Sequence, residues 1–371
     1  MNPKIIARHL PQFHEIPENN KWWGKGFTEW TTVKKARQLF RGHNQPRIPL
    51  EGYYDFLNFK TRKNQAELAK KFGLYGFCYY HYWFNGKKIL EKGLEKMLED
   101  GEPNINFCFS WANGSRSRTW GKKILDETLV KQEYGGKEDA LNHIKYLMQF
   151  FKHKNYICVD NKPVFLIHNI KDIPDFDGLI AYWNDYCISK GFDGIYIIET
   201  LVSYNQQKES LLSSGVVQFE PLYSLGNMNG IVNILGKFIP YKIRSLAFQY
   251  ITIFKNKLFG KETVYKVFYE KILKKIISFG NKKYKEKTFF GICPGWDNTP
   301  RKEERGILLL SESPELFEKY LQKQYDNSIK NGNEFLFINA WNERSEGAYL
   351  EPDKKFGFKY LEAIKKVINK T

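Results

Sequence analysis

Phe335-Leu336-Phe337-Ile338-Asn339-Ala340-Trp341-Asn342-Glu343-Arg344-Ser345-Glu346-Gly347 begins with four consecutive apolar residues and then turns to amides, an indole and two carboxylates. The apolar run is of strand length and does not alternate, as expected of a strand buried on both faces in a parallel sheet. Seven more runs share that character: Ile5–Ala7, Leu74–Tyr79, Ile105–Phe109, Pro163–Ile167, Ile195–Ile198, Val216–Phe219 and Thr288–Ile292. Helical periodicity falls between them, over Arg62–Phe72, Leu90–Asp100, Lys137–Phe151, Leu179–Lys190, Ser313–Asn331 and Phe356–Ile368. Alternating strands and helices in these numbers predict an α/β fold of the (β/α)8 barrel type. Its usual size of about 250 residues leaves roughly a hundred of the 371 for insertions.

An open, doubly wound sheet is the rival arrangement. The first strand, however, opens into Arg8-His9-Leu10-Pro11-Gln12, and the chain holds neither GxGxxG nor GxxxxGK[ST], so a nucleotide-phosphate cradle at the first turn is not expected. A barrel also requires its functional groups just past the strand ends. There the chain carries His9 and Gln12, Tyr80-His81-Tyr82-Trp83, Ser110, Trp111 and Asn113, His168, Glu199, Glu220, Trp296-Asp297, and Asn339 with Trp341-Asn342-Glu343. Aromatic faces stack on the apolar side of a sugar ring while fixed amides and carboxylates bind its hydroxyls. A carbohydrate is therefore the expected ligand, with Trp341, Asn342, Trp296, Asp297, Trp111, Asn113, Tyr80, His81, Trp30 and Gln12 as candidate binding residues.

An apolar share of 42% and a charged share of 27% exclude a disordered, collagen-like or coiled-coil chain. The aromatic share of 16% fits stacking surfaces, and 58 Lys and Arg against 41 Asp and Glu give a net charge of +17. Much of that charge lies in Ile231–Lys287, which has 14 Lys and Arg against three Glu, interleaved with Phe, Ile, Leu and Tyr. The segment reads as a basic amphipathic insertion between the sixth and seventh strands of a single 1–371 domain. An anionic membrane surface is the expected partner, rather than nucleic acid; a helical hairpin packed on the barrel is the alternative. No stretch approaches the ~18 consecutive apolar residues of a membrane span, and Met1-Asn2-Pro3-Lys4 does not lead into a signal core. The expected location is cytoplasmic, peripheral on the inner membrane face.

Five cysteines without close spacing indicate buried thiols, and seven scattered histidines lack metal-ligand spacing, so no metal or cofactor is expected. Asp175-Phe176-Asp177 has the form of a cation-binding pair, but its place before a helix favours carboxylates at a helix start. Trp22-Trp23-Gly24-Lys25-Gly26-Phe27-Thr28-Glu29-Trp30 could be a stacking lid or an aromatic plug in the barrel end. Asp297, in Pro294-Gly295-Trp296-Asp297-Asn298-Thr299-Pro300-Arg301, could bind a hydroxyl or cap a turn. The two carboxylates of the opening stretch, Glu343 and Glu346, are the catalytic candidates, because glycosidic chemistry commonly uses a carboxyl pair of divergent pKa.

These clusters, with Leu10-Pro11-Gln12-Phe13-His14, Gln45-Pro46-Arg47, Gly76-Phe77-Cys78-Tyr79-Tyr80-His81-Tyr82-Trp83-Phe84 and Trp111-Ala112-Asn113, resemble the WbsX-type family of bacterial polysaccharide-biosynthesis proteins, which is glycoside hydrolase family 99-like. The resemblance runs from about Ile5 to Ile368, outside the basic insertion. It implies a (β/α)8 barrel and a role as a glycosyltransferase of O-antigen, lipopolysaccharide or capsule synthesis, with a retaining endo-mannosidase-like hydrolase and a non-catalytic glycan-binding protein as alternatives. It also implies roles for the pair: Glu343 as base on a sugar 2-hydroxyl, through a 1,2-anhydro intermediate, and Glu346 as general acid/base at the glycosidic oxygen. The chain departs from the family pattern where Trp-Ala-Asn-Glu-Asn-Trp becomes Trp111-Ala112-Asn113-Gly114-Ser115-Arg116, and where the Trp between the glutamates becomes Arg344. Both changes are expected at the sugar site, where they mark either reduced hydrolase activity or an acceptor carrying phosphate, and the expected carbohydrate partner is lipid-linked or phosphorylated.

Overall fold

In the computed structural model, which describes residues 2–117, 128–203, 206–226 and 264–370, the first strand is the seam of the sheet. β1 (Lys4–His9) pairs in parallel with β2 (Gly76–His81) on one side, and with the last barrel strand, Phe335–Ile338, on the other. From β2 the parallel ladder runs through β3 (Asn106–Trp111), β4 (Lys162–Ile167), β5 (Tyr196–Leu201), β6 (Gly215–Gln218) and β7 (Thr288–Ile292) to that strand, β8. Eight parallel strands thus close into a (β/α)8 barrel, which has no exposed edge.

Helices α1 (Phe59–Lys71), α2 (Lys92–Asp100), α3 (Gly136–Phe151) and α4 (Phe176–Ile188) follow β1 to β4. α5 (Tyr269–Gly280), α6 (Pro314–Lys330) and α7 (Lys359–Asn369) follow β6 to β8. Their starts are set locally. Asn58 accepts from the Thr61 N–H at 3.3 Å to begin α1, and Ser313 accepts from the Leu316 N–H at 3.2 Å, with Pro314 in the first turn, to begin α6. Asp175 caps α4 through the Gly178 N–H at 3.2 Å, and Asp177 accepts from the Ser210 hydroxyl, so these carboxylates sit at a helix start. Four of the five cysteines are buried; Cys158 is exposed.

Alternation along the strands divides the side chains between the barrel interior and the helix layer. His81 bonds His143 of α3 at 2.8 Å, and Trp111 packs on His143 and Trp183 of α4, so both face outward. Their neighbours Tyr80 and Ser110 therefore face inward. Arg8 Nη1 donates to Ser110 Oγ at 3.1 Å, and because β1 and β3 are not adjacent that bond crosses the barrel interior.

The basic insertion divides. Residues 231–263 lie outside the described residues, while the rest forms a short strand outside the barrel sheet and a helix of the surrounding layer. Tyr265–Phe268 pairs in parallel with Ile307–Leu310, and α5 buries Tyr269, Ile272, Leu273, Ile276 and Phe279 while exposing Lys271 and Lys274. For α5 the packed-helix alternative describes the segment: its apolar face is covered by protein. Among the described residues no helix is long and apolar enough to cross a membrane.

Candidate active site

The site is built on the reversal after β8. Asn342 and Glu343 pair antiparallel with Ala348 and Tyr349, and Arg344–Glu346 form a single tight helical turn between them. Asn342 fastens this hairpin to the end of β1, accepting from the Leu10 N–H at 2.7 Å and donating to the Leu10 carbonyl at 3.1 Å. The Trp341 N–H donates to the Arg8 carbonyl at 2.7 Å. Gly347 lets the loop after β7 close over the hairpin: it has a φ of 63°, and a Cβ there would lie 2.7 Å from the Asp297 nitrogen. The Asp297 N–H in turn donates to the Glu346 carbonyl at 2.6 Å.

That loop carries Arg301 to the two candidate carboxylates. Its guanidinium lies 2.7 Å from Glu346, 3.3 Å from Glu343 and 3.3 Å from Glu29. Glu29 is wholly buried and also accepts from the Ser345 N–H at 2.8 Å and from the Ser345 hydroxyl. Burial, then the negative charge of Glu346, raises the Glu343 carboxyl well above the usual carboxylate range, with Arg301 pulling the other way. Burial alone would lower Arg301, but Glu29, Glu346 and Glu343 together raise it. Two carboxyls on one permanent cation, the buried one raised by its neighbour's charge, are an arrangement suited to moving protons at a sugar oxygen.

Glu343 and Arg301 open onto a cleft of about 250 Å³, whose walls include Gln12, Asn19, Trp22, Trp23, Tyr82 and Arg116. The profile of the family described as Glycosyltransferase WbsX matches residues 5–364. The chain belongs to the WbsX glycosyltransferase family. The protein WxcX of Xanthomonas campestris pv. campestris, strain B100, is 30% identical over 370 residues, covering 99% of this chain and 50% of that protein. The chain thus spans about half the length of the curated relatives it matches. A GH99 endo-alpha-mannosidase structure from Bacteroides thetaiotaomicron superposes with a TM-score of 0.57 at 12% identity, covering 99% of this chain and 96% of that one. A structure titled glycoside hydrolase-like protein gives 0.59 at 13%, covering 99% and 94%. At such identities these likenesses establish the barrel fold.

Of the candidate residues in this WbsX-family chain, Glu343 and Gln12 line the cleft and Glu346 joins them through Arg301. Tyr80 lies near the pair: burial, with the charges of Glu343 and Glu346 working against Arg8, raises its hydroxyl well above its ordinary value. The indoles divide unexpectedly. Trp22 and Trp23 are half-buried in the cleft wall, whereas Trp30 is buried and donates to the Tyr54 carbonyl at 2.7 Å. Trp341 and Trp296 are also buried, Trp341 against Phe77, and Trp111 and His81 pack outward under α3. Asn113 ties two loops together, donating to the Asn169 carbonyl at 2.6 Å and accepting from its N–H at 2.7 Å. None of the six side chains of Trp30, Trp341, Trp296, Trp111, His81 and Asn113 lines the cleft, because each is spent on packing or on hydrogen bonds within the fold.

Asp297 and Asn342 likewise act as braces. The Asp297 carboxylate meets Gln45 at 2.7 Å, His43 at 3.0 Å and Arg47 at 3.5 Å, and accepts from the Thr299 N–H at 3.1 Å. The family departures separate too. Arg116 stands in the cleft, but Arg344 is buried away from it, 3.0 Å from Glu351 and over the Tyr349 ring. Glu29 lies in the tryptophan-rich loop and Arg301 ends the Pro294–Arg301 stretch, yet nothing in their spacing, 272 residues apart, signals that they meet.

Burial alone would raise the Asp297 carboxyl, but the His43 bond, the Arg47 charge and the Thr299 bond outweigh it and hold it at about 2, against an ordinary 3.8. A depressed folded pKa contributes stability that is fully present above the ordinary value and is lost as pH falls through the folded one. Asp297→Asn should therefore cost on the order of 2 kcal/mol at pH 7. In urea unfolding the gap to wild type should shrink by about half at pH 3. A gap that stays constant over that range contradicts this role.

Proposed function

We propose that this chain is a glycosyltransferase of bacterial cell-surface polysaccharide synthesis, of the O-antigen, lipopolysaccharide or capsule kind, with Glu343 and Glu346 as its catalytic pair. The observation that carries the reading is the meeting of both carboxyls on Arg301 at the mouth of the barrel, one of them buried in the cleft. Two like charges so close favour a state with one proton between them. In the role implied by the family resemblance, Glu343 takes the 2-hydroxyl proton as that oxygen closes on the anomeric carbon. Glu346 protonates the departing oxygen. An acceptor hydroxyl then opens the strained ring, giving its proton to Glu346 while Glu343 returns the first. The first step needs Glu343 ionised with the shared proton on Glu346, which removes the neighbouring charge that raises Glu343 and leaves Arg301 to favour its ionised form against burial. With a sugar hydroxyl as acceptor the outcome is transfer; with water it is hydrolysis, and the carboxyl pair itself keeps a retaining endo-glycosidase as the second reading.

Glu343→Gln and Glu346→Gln should each lower turnover by at least ~10²-fold while leaving the fold intact. Complementation of polysaccharide synthesis in a deletion strain reads the loss. Normal polysaccharide from both variants overturns the pair. With wild-type protein, a lengthened lipid-linked acceptor supports transfer, and free reducing sugar released from a glycan supports the hydrolase.

The cytoplasmic membrane face remains the proposed location, with residues 231–263 as its contact. That segment has six Lys and Arg against one Glu, among many Ile, Leu, Phe and Tyr. The chain should co-sediment with phosphatidylglycerol-containing vesicles and not with pure phosphatidylcholine vesicles, and removing 231–263 should abolish the difference. Equal sedimentation of the shortened chain contradicts the contact.

A further inference from the structure

Arg116 enters the cleft from the hairpin in which it pairs with Val130. Its Nη2 donates to Gln12 Oε1 at 3.0 Å, and the guanidinium lies 4.7 Å from the Tyr82 ring centroid. Its Nη1 is buried without a hydrogen-bond partner. Among the described residues no carboxylate lies within ion-pair distance of it, in contrast to Arg301, whose charge is shared by three. A second donor on the same cleft is in the same condition: Asn19 is 2% exposed, and its Nδ2 has no partner. Leaving buried donors unpaired is unfavourable, more so for a charged one, and such groups call for an acceptor that arrives from outside.

We propose that Arg116 and Asn19 form an oxyanion-binding subsite beside Glu343, so that the sugar bound in this cleft carries a phosphate or a carboxylate. The inference rests on reading the cleft as the sugar site. Arg116 supplies a fixed positive charge, and the planar guanidinium fork, held by Gln12 and by the Tyr82 face, presents its remaining N–H groups to a phosphate or carboxylate. Asn19 adds a neutral donor to a second oxygen of the same group. Trp22 and Trp23, in the same walls, provide apolar surface for the ring. A neutral sugar hydroxyl can accept from either donor but leaves the Arg116 charge uncompensated, so the anion is what the pair selects for.

Intrinsic tryptophan fluorescence of the whole chain reads occupancy through Trp22 and Trp23. The probes are glucose, galactose and mannose, each with its 1-phosphate and its uronate, so that charge is the variable at constant ring. At least one charged probe should bind about 10-fold or more tighter than its neutral parent, the gain expected of a charge-assisted hydrogen bond. Preference for the 1-phosphates identifies a glycosyl phosphate as the source of the anion; preference for the uronates identifies an acidic sugar. Arg116→Gln should bring the charged probes to the level of the neutral ones, Arg116→Lys should retain part of the preference, and Asn19→Ala should lose a smaller part. No preference for any charged probe, or a preference that survives Arg116→Gln, overturns the proposal. Because the readout is binding alone, it stands apart from the catalytic reading, which is tested by the activity of the glutamine variants.

Discussion

One guanidinium holds the site together. Arg301 bridges Glu29 from the tryptophan-rich loop after β1 and both carboxylates of the β8 hairpin, so three acidic groups occupy a volume they could not share without it. Removing one partner of a buried charge network leaves the others uncompensated, and three carboxylates facing one another would have to take up protons or move apart. The same residue therefore fixes the geometry of Glu343 and Glu346 and favours the ionised form of Glu343. Its own position depends on the loop after β7, which Asp297 braces from behind through His43, Gln45 and Arg47. The barrel makes such convergence possible by delivering every one of these loops to the same face.

The eight strands were legible because buried parallel strands are written as short apolar runs bounded by polar residues. Thr288–Ile292 and Phe335–Ile338 were read with the bounds they have. β2 runs later than its apolar run Leu74–Tyr79 suggests, because its ladder continues through Tyr80 and His81, whose polar groups look like a strand's end in sequence. α5 was hidden for a different reason. Its lysines dominate the composition of the segment, and an apolar stripe that packs on a barrel has the same period as one that meets a membrane.

In the site, a carboxylate pair could be located from the sequence because its position after the last strand narrows what it can do. The tryptophans could not be sorted. Whether an indole beyond a strand end faces the cleft or the helix layer is decided by strand parity and by single hydrogen bonds, such as Trp30 to the Tyr54 carbonyl, and a shift of one residue reverses the answer. The reverse error occurred at Arg344, whose place between the two glutamates suggested the cleft while its side chain turns back to Glu351. Glu29 and Arg301 needed the closed barrel before they became neighbours at all.

The central claim is that Glu343 and Glu346 are an electrostatically coupled, proton-carrying pair governed by Arg301. The most direct test is the titration of the Glu343 carboxyl, followed by carbon NMR of protein labelled at its glutamate side chains. The account predicts a midpoint well above the ordinary 4.5, which falls in Glu346→Gln, where a neighbouring negative charge is removed, and rises in Arg301→Gln, where the positive one is. A Glu343 that titrates at its ordinary value, and does not move in either variant, would contradict it.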